Sequence, residues 1–333
     1  VSTAQAYSLV SDHGPLPAVS VVMPVCNGAR FLREAIDSVL GQTLADFELL
    51  IVDDGSTDGS VQIVAEYRDA RIRLCRQGHG GIVAALNRGV GLARSGLIAR
   101  MDHDDISLPA RLERQHEFLA RRPEFAVVGV RRGYVTAAGR RAEPAVRAAS
   151  SWQELRREDL LQGHLMCHSA AMLRRDAVLA VGGYRAGTEG AEDIDLWLRL
   201  HPAYRFALLN EHLFYVRRFA RPDAVALAMR RRRVRRRVVS MAEASSLHGC
   251  FAGPAGGREA SMRERWRVMR SLGGDVVTQL NAGDLSGALA YVRALLAGDP
   301  ASGLAWCAIG RALVLHATSR ALRMLRGRSG RRP

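Results

Sequence analysis

FELLIVDDGSTDGS, residues 47–60, runs from a β-rich apolar stretch straight into two carboxylates and then into turn-forming Gly, Ser, Thr and Asp. FELLIVDD reads as a strand, and DDGSTDGS supplies the turn residues and caps for the helical VQIVAEYRD that follows. Upstream, VSVVMP at 19–24 is a second β-rich run ended by Pro, and the amphipathic ARFLREAIDSVLGQ lies between the two. That order is a βαβ unit. Downstream, RIRLC reads as a third strand, GIVAALNRGVGLARSG as a helix and LIARM, 97–101, as a fourth strand. Strands alternating with helices of this length predict an α/β fold with a Rossmann-like, mostly parallel central sheet flanked by helices on both faces.

The fourth strand delivers MDHDD, with Asp102, Asp104 and Asp105 packed within four positions. Carboxylates that close repel and resist burial, so the cluster is either solvated or shares a cation. In open α/β sheets ligands bind beyond the carboxyl ends of the strands. Three such ends are polar: Asn27, the pair Asp53 and Asp54, and Asp102 to Asp105. They are expected to face one crevice. GHGGIV at 78–83 has G-x-G spacing, but Val83 stands in place of a third Gly and the match follows the third strand, so no nicotinamide or flavin site is expected. Gly80 and Gly81 are read as a tight turn.

The chain of 333 residues suffices for one large α/β domain plus an appendage, or for two ordinary domains. No apolar run reaches the roughly 18 residues of a membrane span, and the N-terminal stretch lacks a basic region followed by an apolar one. A soluble, cytoplasmic protein is expected. Cys26, Cys75, Cys167, Cys250 and Cys307 form no C-x-x-C pair, which argues against a zinc knot and a disulfide framework. Net charge is +15, and all 48 basic residues are Arg. They concentrate in RRRRVRRR at 230–237 and in RALRMLRGRSGRRP at 320–333, either of which can attract phosphate, anionic lipid or nucleic acid.

VSVVMPVCNGARFLREAIDSVLGQT, FELLIVDDGSTDGS, ALNRGVGLARSGLIARMDHDDISLPARLERQ and GGYRAGTEGAEDIDLWLRL occur in one order and spacing over about residues 19–219. In this they resemble the family-2 glycosyltransferases, which have the nucleotide-sugar-binding GT-A fold. The resemblance implies transfer of a sugar from a UDP-, dTDP- or GDP-sugar to an acceptor hydroxyl, inverting and dependent on Mn2+ or Mg2+, in cell-surface polysaccharide or glycolipid synthesis. It makes Asp102-His103-Asp104 the D-x-D motif, with Asp104 the metal ligand and Asp102 near the ribose or the metal. Asp105 becomes a supporting residue and a cap for the helix beginning near Pro109. A hard divalent cation there would neutralise charge on the departing diphosphate.

The resemblance places the nucleotide on Pro24, Val25, Cys26, Asn27 and Asp54, adds Asn87, Arg100, Asp102 and His168 to the donor-binding set, with His168 reading equally as a satisfied core histidine, and leaves Asp53 to hold loop amides. Cys26 stands where many relatives have an aromatic residue. As a catalytic thiol it is disfavoured, because no His or other base lies near it in sequence. EGAEDIDLWLRL, 189–200, reads by itself as a buried helix with an acidic first turn. Inverting transfer also needs a base for the acceptor hydroxyl. By resemblance this is Asp193, with Glu192 as support or second candidate and Asp195 structural. FYVRRFARP lacks the His that relatives often carry after the last strand, and Arg217 or Arg218 is the substitute contact for pyrophosphate.

The expected organisation is a leader segment, 1–18, a catalytic domain, 19–223, and an Arg-rich helical C-terminal extension, 224–333. The catalytic domain divides into a nucleotide-sugar half, about 19–107, and an acceptor half, about 108–223. The extension faintly resembles one tetratricopeptide-like unit. Its Arg segments are expected to contact the inner face of the cytoplasmic membrane peripherally, where a lipid-linked or saccharide acceptor would be met. Two other function classes stand beside the enzyme: an inactive nucleotide-sugar-binding scaffold and an Arg-rich nucleic-acid binder. The second is disfavoured because the Arg runs lack interleaved aromatics, so no nucleic acid is expected as a partner.

Overall fold

The computed structural model describes residues 15–143, 150–162, 165–219, 224–246, 275–280, 282, 284–298 and 309. The first half of the sheet is built from β1 (Val19–Val25), β2 (Phe47–Asp54), β3 (Ile72–Gln77) and β4 (Leu97–Arg100), joined by α1 (Ala29–Leu40), α2 (Ser60–Glu66) and α3 (Ile82–Leu92). β3, β2, β1 and β4 lie side by side in parallel, with Val21 opposite Leu49 on one side and Ala99 on the other. Their carboxyl ends therefore share one edge. β1 runs one residue past Pro24, which pairs with Val52. Proline's fixed φ fits an extended strand and removes only one donor, so the strand need not stop there.

Period-two alternation decides which face each residue covers. Val21, Met23, Leu49 and Ile51 pack on one face with Leu32 and Ile36 of α1, while Val22, Leu50 and Val52 pack on the other with Leu86 and Val90 of α3. Gly89 lets α3 approach this closely, since an added Cβ would enter the Val22 side chain.

The remaining strands are β5 (Ile106–Ser107), β6 (Phe125–Thr136), β7 (Arg141–Ala142), β8 (Trp152–Leu155), β9 (Met172–Arg174) and β10 (Arg205–Arg218). They extend the sheet in the order β3-β2-β1-β4-β9-β6-β10-β5, with β7 on β6 and β8 on β10. β9 is antiparallel to both β4 and β6. The helices of this half are α4 (Arg111–Ala120), α5 (Arg157–Gln162), α6 (Arg175–Ala180) and α7 (Glu192–Leu200). α8 (Ala224–Ser246) and α9 (Leu285–Gly298) follow.

One buried cation ties α4 to the sheet. The Arg111 guanidinium, 0% exposed, donates from Nη2 to the Arg100 carbonyl at 2.6 Å and from Nε to Gln115 at 3.1 Å, and lies 4.8 Å from the Phe214 ring centre. Gln115 in turn donates to the carbonyls of Val128 and Ala170. Burial pulls the Arg111 pKa down to about 9, still above neutrality, so the charge persists.

The chain divides into two compact units, each drawn from several stretches of sequence. The first comprises Val1–Gly133, Glu143–Val216 and Val234–Cys250, and the second Tyr134–Ala142, Arg217–Arg233 and Phe251–Pro333. In the first, Val238 packs with Ala191, Ile194 and Leu198, which brings part of α8 onto α7. In the second, Arg218 pairs with Asp275 at 3.6 Å and lies over the Tyr134 ring, and Arg217 donates to the Thr136 carbonyl at 3.0 Å. Both arginines thus have protein partners. Among the described residues no helix is long and apolar enough to cross a membrane. The first helix of the tetratricopeptide-like segment is α9, while the basic stretch 320–333 and nearly all of the segment's second helix lie outside the described residues.

Candidate active site

The loops after β1 and β2 are stitched together by the polar residues of DDGSTDGS. Asn27 adopts φ +52°, a left-handed conformation that Asn tolerates better than most residues. Its amide N donates to Ser56 Oγ at 3.0 Å, and its Oδ1 accepts from the Thr57 amide at 2.8 Å. The next two amides, Gly28 and Ala29, donate to Ser60 Oγ at 2.9 Å and Asp58 Oδ2 at 3.0 Å. The orphan amides that open α1 are therefore satisfied from the neighbouring loop. Burial acts to raise the Asp58 pKa, but hydrogen bonds from Ser60 and the Ala29 amide bring it below the usual range.

Asp54 closes β2 and opens α3. Its Oδ1 accepts from Gln77 Nε2 at 2.7 Å and the Gly80 amide at 2.8 Å, and its Oδ2 from the Gly81 amide at 2.8 Å. It is Asp54, not Asp53, that gathers the loop amides of the Gly80–Gly81 turn. Asp53 accepts from the Ser56 amide at 3.3 Å and lies 3.4 Å from Arg76 Nε. His79, which sequence reasoning passed over, lies with Nδ1 3.1 Å from Asp54 Oδ2 and 3.7 Å from Cys26 Sγ. The Cys26 thiol thus has a histidine beside it in space though not in sequence. Burial and the carboxylates of Asp54, Asp53 and Asp58 nevertheless push the thiol pKa up, which keeps it protonated and weakens it as a nucleophile.

At the end of β4 the carboxylate oxygens of Asp102, Asp104 and Asp105 lie within 4.8 Å of one another. Asp102 Oδ1 is 2.5 Å from Nη1 of Arg100, a guanidinium buried in the sheet. Burial acts to raise the Asp102 pKa, but Arg100, His103 and His168 hold it below the ordinary value. Asp105 is buried and accepts from Ser169 Oγ at 2.5 Å. It does not cap α4, which begins at Arg111 after Ala110 with no side-chain cap. The His103 ring fills the space beside Gly28, where an added Cβ would lie 2.5 Å from Cδ2.

The first residues of α7 also feel the charge of Arg100. Glu192 Oε2 accepts from the Gly190 amide at 2.5 Å, and Asp193 Oδ1 from the Ile194 amide at 2.8 Å. Both carboxyls are half-buried and both have raised pKa values: burial is the main cause, Asp193 adds to it for Glu192, and Arg100 opposes it for both. Asp195 points into a separate pair with Arg199, 2.7 Å away, in keeping with a structural role.

Four expected contacts are placed differently. His168 is buried, with Nε2 2.8 Å from the Tyr184 hydroxyl and its ring against Trp197. Burial and the nearby Arg100 push its pKa well below the usual value, so it is a neutral member of the core. Asn87 gives both ends of its amide to Tyr184, donating to the carbonyl and accepting from the amide N, each at 2.8 Å. It fixes the loop before α7. Pro24 and Val25 are buried in β1, so of the expected quartet only Cys26 and Asn27 present side chains at the strand end. Tyr184 was missed altogether. Its hydroxyl meets His168 Nε2 at 2.8 Å and feels the charges of Glu192 and Asp193, and its only sequence signal is its place after Gly182-Gly183.

Comparison with known proteins bears on the family and the fold. A family model described as glycosyl transferase family 2 matches residues 20–182. EpsE of Bacillus subtilis, which carries a glycosyltransferase designation, is 36% identical over 209 residues, covering 60% of this chain and 73% of that protein. The chondroitin synthase of Pasteurella multocida is 29% identical over 201 residues, covering 59% of this chain and only 20% of its own length. Among solved structures, S. aureus TarS 1–349 in complex with UDP superposes with a TM-score of 0.53 at 15% identity, covering 84% of this chain and 90% of that one. Mannosyltransferase PcManGT from Pyrobaculum calidifontis, in complex with GDP-Man and Mn2+, gives a TM-score of 0.51 at 18% identity, covering 95% and 84%. These likenesses establish the fold as the expected GT-A arrangement.

Proposed function

Because the chain belongs to glycosyl transferase family 2, we propose that it transfers a sugar, with inversion, from a nucleotide-diphosphate donor to an acceptor hydroxyl in the building of a polysaccharide or glycolipid. The observation that carries this reading is the cluster of Asp102, Asp104 and Asp105 at the end of β4, with Asp102 paired to the buried Arg100, whose charge also reaches Glu192 and Asp193 at the start of α7. The all-oxygen set within 4.8 Å suits a hard divalent cation, held by Asp104 with Asp102, of the kind named in the PcManGT complex. Such an ion, when bound, neutralises charge on a leaving diphosphate.

The chain's own residues supply the rest. Asn27 and Asp54 stand at the strand ends where the resemblance puts the nucleotide. Asp193 takes the proton of the acceptor hydroxyl as its oxygen bonds to the anomeric carbon. The bond from that carbon to the diphosphate oxygen breaks, and the nucleoside diphosphate leaves. The raised pKa of Asp193 makes it a stronger base than a solvated carboxylate, and Arg100 keeps it ionisable. Glu192 is the second candidate.

UDP, the partner of TarS, and GDP, carried by PcManGT's donor, are the nucleotides to test first. Calorimetry with Mn2+ should give nucleotide binding that Asp104→Ala weakens by about tenfold or more, with its cation dependence gone. Equal affinity in parent and variant would overturn the metal assignment. The exposed arginines of α8, among them Arg230, Arg233 and Arg237, support a peripheral contact with anionic lipid, each adding about 1 kcal/mol near such a surface. Salt-sensitive sedimentation with anionic liposomes is expected; a protein left in the supernatant at low salt would sink that part.

A further inference from the structure

The sheet edge carries a second ligand cluster of different chemistry. Three successive parallel strands each end on one member: Cys26 after β1, Asp54 at the end of β2 and His79 after β3. Their sulfur, oxygen and nitrogen atoms all lie within 4.8 Å of one another. Cys26 Sγ is 3.7 Å from His79 Nδ1, which is 3.1 Å from Asp54 Oδ2. Around a tetrahedral ion with bonds of about 2.0–2.3 Å, ligand atoms stand roughly 3.4–3.6 Å apart. Shifts of a few tenths of an ångström would bring both measured edges to that spacing.

The carboxylate is already oriented, because the Gly80 and Gly81 amides and Gln77 fix its plane, the supporting contact that metal-binding carboxylates need. The His79 side chain is 70% exposed, so an ion reaches the cluster from solvent. The donor set also separates the two clusters: three oxygens suit Mg2+ or Mn2+, whereas sulfur, imidazole and carboxylate suit zinc and its neighbours.

We propose that Cys26, Asp54 and His79 bind one zinc-class ion independently of Asp102, Asp104 and Asp105, and that the bound ion closes this end of the pocket to a nucleotide. The second clause rests on the donor-binding reading above; the first does not. Zinc would then act as an inhibitor at a site separate from the activating cation.

Cobalt(II) is the probe, added to the reduced full-length chain in a buffer free of small thiols. Near one equivalent it should develop thiolate-to-cobalt charge-transfer absorbance, which Cys26→Ser abolishes, His79→Ala weakens by about tenfold or more and Asp104→Ala leaves in place. Circular dichroism checks that each variant is folded. Absence of that absorbance, or its persistence in folded Cys26→Ser, overturns the site. In a second arm, zinc should weaken UDP binding about tenfold or more in the parent and leave it unmoved in Cys26→Ser. If cobalt binds as expected and zinc does not touch UDP affinity, the proposed overlap is wrong. A chain that binds no nucleotide at all defeats the donor reading, while the cobalt result still decides the metal site.

Discussion

Asp102 and Asp193 both feel the charge of Arg100 and meet opposite fates. Asp102 touches the guanidinium at 2.5 Å, and its pKa falls below the ordinary value although burial acts to raise it. Asp193 feels the same charge without a direct ion pair, so burial prevails and its pKa rises. One cation thus holds one carboxylate permanently charged and leaves the other able to exchange a proton. Contact geometry, not residue type or burial alone, separates a binding carboxylate from a basic one.

Removing each carboxylate should therefore change stability with opposite sign. Asp102→Ala strands Arg100, 5% exposed at its side chain, and should cost about 3 kcal/mol in urea unfolding. No loss would mean that Arg100 has other sufficient partners. Asp193→Asn removes a carboxylate that burial disfavours. Transfer should drop on the order of 10²-fold or more, nucleotide affinity should stay within about threefold, and stability at neutral pH should rise. Turnover equal to the parent's would move the base to Glu192.

The pH dependence sharpens the contrast further. A base must be ionised to act, so the acid limb of the transfer rate should lie above the ordinary carboxylate range near 4, at the raised value of Asp193. The same raised value means that folded Asp193 binds a proton more readily than the unfolded chain does. Its contribution to stability is accordingly present at low pH and is lost as pH rises from the ordinary carboxylate value through the raised one. In Asp193→Asn that slope should vanish; an unchanged slope would assign it to Glu192. The smallest effect is expected on the stitched donor side. Ser60→Ala deletes the acceptor for the Gly28 amide and should cost about 1 kcal/mol in the same unfolding assay, with the acid limb unmoved.

The two sides also differ in how far they could be read from sequence. Apolar periodicity and turn residues located β1 to β4, and parallel packing then put Asn27, Asp54 and Asp102 on one edge. Those signals are local. What eluded them depends on partners far along the chain: Asn87 meets Tyr184 across 97 positions, and Cys26 meets His79 across 53. β6 and β10 run 12 and 14 residues, and their inward and outward positions do not alternate cleanly, so period-two reasoning leaves them undefined. Glu192 and Asp193 were legible only through family resemblance, because an acidic first turn is by itself ordinary for a helix.

Arg111 has a consequence for motion. Its guanidinium bonds to the β4 carbonyl and to Gln115 and lies over Phe214 of β10, while Gln115 reaches Val128 of β6, so parallel and antiparallel strands grip one solvent-free charge. Prising the sheet apart at β4 would leave that buried charge short of acceptors. The seam between the two kinds of sheet is therefore a rivet rather than a hinge. The donor and acceptor walls should melt in one cooperative step, and any gating of the cleft must be left to its loops.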